Sequence, residues 1–60
     1  MTKEIKEDLR MIFSYLETKD AITMLYRSGK KPPESLLDRE YTMRNMVNDI
    51  GRRYGINNQE

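Results

Sequence analysis

Apolar residues recur along this chain with the period of a helix. Ile5, Leu9, Ile12 and Leu16 follow one another at spacings of four, three and four, one stripe of an amphipathic helix, with Phe13 widening it on one flank. Thr2 is placed to cap that helix, and Glu4 sits in a first turn that favours negative charge. Past Leu16 the stripe runs into Lys19, Asp20 and Thr23, while the next apolar set, Ala21, Ile22, Met24, Leu25 and Tyr26, lies on a different face. Such a change arises from a break near Glu17 with a restart capped at Thr18, or from one continuous helix whose apolar seam rotates. Thr18 and Asp20 suit a helix start, so the pattern predicts a break and two helices, about 3–17 and 19–28.

The stretch SGKKPPESLL at 28–37 is a stop followed by a start. Gly29 fits a left-handed helix end, and Arg27, Lys30 and Lys31 suit its negative pole. Pro32 and Pro33 forbid continuation, and Pro33 is a good first residue for the next helix, with Glu34 behind it. That helix is expected over about 33–54. At ~100° per residue, Leu36, Met43, Met46, Val47, Ile50 and Tyr54 share one face, and Leu37 and Tyr41 form a second, smaller patch. Gly55 followed by Ile56 reads as a Schellman-type stop, and 57–60 as a frayed tail. The expected fold is all-α, a single domain over 1–56. It is a helical hairpin or small three-helix unit, with its apolar stripes completed by dimerisation.

Composition sharpens this picture. Sixty residues make a marginal core, and with no cysteine and no histidine neither disulfides nor the common zinc sites can reinforce it. A partner or a second copy is the remaining support. Apolar residues are 37% and charged residues 35%, yet the regular apolar spacing argues against a disordered chain. No apolar run approaches the ~20 residues of a membrane span and no signal-peptide pattern opens the chain, so a cytoplasmic protein without a membrane partner is expected.

Candidate chemistry is sparse. Among carboxylates, lysines, tyrosines and hydroxyls, no nucleophile is grouped with a base and an orienting residue, and no Gly-rich phosphate loop exists. Glu4, Glu7 and Asp8 mingle with Lys3 and Lys6 as on an ordinary solvated helix face, without the convergent oxygens of a cation site. The sequence therefore points to a non-enzyme with no cofactor and no metal.

Two binding functions remain. In the first, the chain is a regulatory or adaptor protein, a homodimer that inhibits or recruits a larger protein through a helical face. Tyrosine and methionine favour interfaces, and this reading assigns the partner-binding surface to Tyr15, Ile22, Tyr26, Leu37 and Tyr41, with Arg52 and Arg53 as rim charges. The alternative is a helix-turn-helix-like DNA-binding regulator, with Ser35, Arg44 and Asn45 toward a groove and Lys30 and Lys31 on phosphates. A net charge of only +1 and the acids Asp38, Glu40 and Asp49 on the same helix weigh against it, and Glu40–Arg44 and Asp49–Arg53 read equally well as helical ion pairs.

Overall fold

The computed structural model describes residues 2–56, and these form two helices, α1 (Lys3–Arg27) and α2 (Glu34–Arg53), with no strand among them. They pair as one helical hairpin. The tail expected to fray at 57–60 lies outside the described residues.

α1 begins as its sequence predicts, with the Ile5 N–H donating to the Thr2 hydroxyl at 3.2 Å. It then runs unbroken through Thr18, so the expected break near Glu17 is absent. The reason lies in the Thr18 side chain. Its hydroxyl donates to the Ser14 carbonyl one turn back (3.0 Å), satisfying itself inside the helix instead of capping a new one. The change of apolar face past Leu16 is a rotation of the seam along a single helix.

Both helices stop by the same device. Gly29 (φ 76°) lets the Lys30 N–H reach the Leu25 carbonyl (2.9 Å) and its own N–H reach that of Tyr26 (3.0 Å). Gly55 (φ 70°) repeats both bonds, Ile56 to Gly51 at 2.8 Å and Gly55 to Arg52 at 3.1 Å. Pro33 is the extended residue before α2, not its first helical residue, and its carbonyl accepts from Leu36 and Leu37. Beside it Pro32 is buried, pinning the connection.

The helices meet along two heptad-like rows. On α1 the row is Asp8, Met11, Tyr15, Thr18, Ile22 and Leu25, all buried or half-buried; on α2 it is Leu36, Glu40, Met43, Val47, Ile50 and Tyr54. The result is a slab 39 × 29 × 17 Å, one layer of helices thick. Among the described residues Ile50, 6% exposed, is the one buried side chain of a Val, Ile, Leu, Met or aromatic residue.

Candidate interaction surface

The inner seam is rich in polar contacts. Near its middle the Tyr15 hydroxyl donates to Glu40 Oε2 (2.9 Å), and Arg44 closes on the same carboxylate with Nε to Oε2 (3.1 Å) and Nη2 to Oε1 (2.8 Å). A nearly buried glutamate is thereby given three donors, which holds its charge at an otherwise costly site. The Arg44 fork, helped by the Tyr15 hydroxyl, lowers the Glu40 pKa below its ordinary value, while desolvation and then Glu40 itself raise that of Tyr15. Thr18 lies opposite Met43, with its hydroxyl 3.5 Å from the sulfur.

The open end of the hairpin is closed by a second set. The Tyr54 hydroxyl donates to Asp8 Oδ2 (2.7 Å), and both terminal nitrogens of Arg53 approach the same carboxylate at 3.3–3.4 Å. Those hydrogen bonds, from Tyr54 first and Arg53 second, lower the Asp8 pKa. Arg53 therefore crosses to the other helix, and its expected partner Asp49 pairs with Arg52 instead (3.3 Å). The expected Glu40–Arg44 pair is present at 2.8 Å.

The outer side of the hairpin is apolar. Ile5 and Leu9 are 38% and 39% exposed, Leu16 and Phe13 53% and 62%. Ile5 and Leu9, with Ile12, continue across to Val47, Ile50, Gly51, Tyr54 and Ile56 of the other arm, around a groove of about 550 Å³ that Asp8 and Asn48 also line. The first helix thus turns its strongest apolar stripe to solvent and gives the more polar row to α2.

This rearranges the surface expected from sequence. Tyr15, Ile22 and Leu37 are half-buried, the first two in the row that meets α2. Tyr26, Tyr41 and Arg52 are exposed, with Arg44 stacked over the Tyr41 ring at 5.7 Å. The side chains named for a DNA groove are dispersed: Lys30 and Lys31 lie in the connection, Ser35 in the first turn of α2, Asn45 on its exposed side, and Arg44 is held by Glu40. A separate helix 19–28 does not exist, because those residues belong to α1 and the turn after it. Asp8, Thr18 and Glu40 are not among the expected contact residues; their signal is the three-four spacing of the two rows, Asp8 and Thr18 on α1 and Glu40 on α2.

Among the described residues no group of three acidic side chains converges as a metal site, and no helix is long and apolar enough to cross a membrane. No protein-family model, curated protein or solved structure matches the chain.

Proposed function

We propose that this chain is a non-catalytic regulatory or adaptor module of the cytoplasm. It acts as a homodimer that binds a larger protein and modulates it, by inhibition or recruitment, through helix-on-helix packing. One observation carries this reading: Ile5, Leu9, Phe13 and Leu16 form a contiguous apolar face on the solvent side of α1, while Ile50 alone among the large hydrophobic side chains of the described residues is buried. Contiguous exposed apolar surface rimmed by charge marks an interaction site. The dispersal of Lys30, Lys31, Ser35, Arg44 and Asn45, together with the bidentate engagement of Arg44 by Glu40, favours protein over DNA as the partner.

The test is site-specific photo-crosslinking in cells. A photoreactive amino acid in place of Phe13 should yield adducts of two copies, and one in place of exposed Tyr41 adducts with a larger protein, each above the background set by one in place of exposed Asp49. Adducts of two copies alone, with none to a larger protein at either position, would remove the larger target from this reading. No adduct above that background at either position would overturn it.

A further inference from the structure

Building on the protein-binding reading, we infer that the occupant of the apolar face is a second copy of this chain, seated with its α1 antiparallel to the first across residues 5–16 in an isologous four-helix arrangement.

Three observations leave room for a second copy. A compact monomer of 7.2 kDa exposes roughly 4,100 Å², whereas this hairpin exposes 5090 Å², more surface than its mass requires. The radius of gyration is 13.4 Å against the ~10 Å of a compact chain of this length. A slab 17 Å thick lacks the second layer that a packed domain requires, and another slab of the same shape supplies it.

Charge then fixes the orientation. On α1, at ~100° per residue, Lys6 and Glu17 border the apolar face on the same edge, one toward each of its ends. Neither takes part in the three ion pairs formed among the described residues. When two α1 helices run antiparallel, matching edges face each other, so Ile5 opposes Leu16 of the second copy and Leu9 opposes Phe13. Lys6 then meets Glu17 of the second copy, twice, by symmetry. Parallel copies would not bring Lys6 to Glu17. Beyond Leu16 the same face turns polar at Lys19, Asp20 and Thr23, which ends the overlap. The connecting turns therefore point away from each other, leaving exposed Tyr26 and Tyr41 outside the contact for the larger protein.

Sedimentation equilibrium on the purified chain tests this. The expected mass is twice 7.2 kDa, dissociating on dilution. Phe13→Glu should weaken association by more than about 100-fold, because it sets a charge in the apolar centre. Lys6→Glu and Glu17→Lys should each weaken it by roughly tenfold, since two pairs turn repulsive at once. The doubly reversed Lys6→Glu/Glu17→Lys chain should regain wild-type association, a result that no folding defect produces. A single-chain mass at every concentration would overturn the inference, as would reversals that the double variant fails to repair. Should the purified chain be monomeric while the photoreactive residue at position 13 captures a larger protein in cells, the second copy is wrong and the protein-binding reading stands. Loss of both signals removes both.

Discussion

Over one stretch of α1, two faces run side by side with reversed chemistry. The inner face meets α2 through Asp8, Tyr15 and Thr18 as well as Met11, while the outer face carries Ile5, Leu9, Phe13 and Leu16 into solvent. Directional contacts such as Tyr15–Glu40 and Asp8–Tyr54 work only at one register, so they tell the arms of the hairpin how to align. Apolar contacts are non-directional and scale with area, which suits them to an assembly step. On this reading the hairpin is aligned by its polar seam and gains its bulk stability from what covers the outer face.

The sharpest way to break that comparison is at the most buried apolar position of the seam. Ile50→Ala should cost about 2–5 kcal/mol, the range for truncating a buried isoleucine, because Ile50 is 6% exposed with no second buried large hydrophobic among the described residues to share the load. For so small a chain that is most of its stability. Thermal denaturation followed by circular dichroism should show the helical signal largely lost at room temperature. Retention of a cooperative transition near the wild-type midpoint would mean the outer face already supplies the core.

Glu40 comes next. Glu40→Ala removes the acceptor of Tyr15 and Arg44 together, and leaving such groups unpaired costs about 1–3 kcal/mol. A Tyr15→Phe/Glu40→Leu chain removes the hydroxyl and the carboxylate together, leaves half-exposed Arg44 to water, and should recover that loss, since an apolar pair of similar volume often matches a buried ionic one. If stability returns while one-dimensional NMR shows broadened or doubled resonances, the contact sets register. If stability does not return, Glu40 is a net stabiliser, and the seam holds the hairpin by strength.

Much of this was legible in the residues. Thr2, Gly29 and Gly55 mark helix ends by local backbone chemistry, and each behaves as its type requires. The choice of seam was not legible. Ile5, Leu9, Ile12 and Leu16 form the most apolar stripe of α1, and burial alone would turn them toward α2. The row that does so is a heptad shared by apolar and hydrogen-bonding residues, and its polar members gain only from partners far along the chain, Glu40 for Tyr15 and Tyr54 for Asp8. Periodicity records which residues are apolar; it does not record which polar residue finds a mate. The misplaced break at Thr18 has the same root, because a threonine that caps and a threonine that bonds back to residue i−4 look alike in sequence.

Acid should loosen the seam and spare the outer face. Asp8 and Glu40 both titrate below their ordinary values of 3.8 and 4.5, Asp8 through Tyr54 and Arg53, Glu40 through Arg44. Groups with lowered folded-state pKa stabilise above the unfolded value and lose that contribution as pH falls through the folded one. The unfolding midpoint should therefore hold between about pH 6 and 8 and fall from about pH 5 toward 3. Tyr15 and Tyr54, raised above 10.0, give a matching loss at alkaline pH as their protons leave. Glu40→Gln should flatten the acid limb, and an unchanged slope would place the acid-sensitive group elsewhere.

The smallest effect is the most discriminating. Thr18 is buried in the seam, yet its hydroxyl is spent on the Ser14 carbonyl of its own helix, and its contact with the Met43 sulfur is long at 3.5 Å. Sulfur is a weak acceptor, and a backbone carbonyl already inside a helix loses little when a side-chain donor is removed. Thr18→Val keeps the shape and removes the hydroxyl, so it should change stability by no more than about 0.5 kcal/mol, in either direction. The same change would be costly at Tyr15, whose hydroxyl crosses to the other helix. A Thr18→Val chain whose melting midpoint drops as far as that of Glu40→Ala would show that even this weak polar contact sets the register. A neutral outcome confines that role to Tyr15–Glu40–Arg44 and Asp8–Arg53–Tyr54, the two places where a hydroxyl and an arginine converge on one carboxylate.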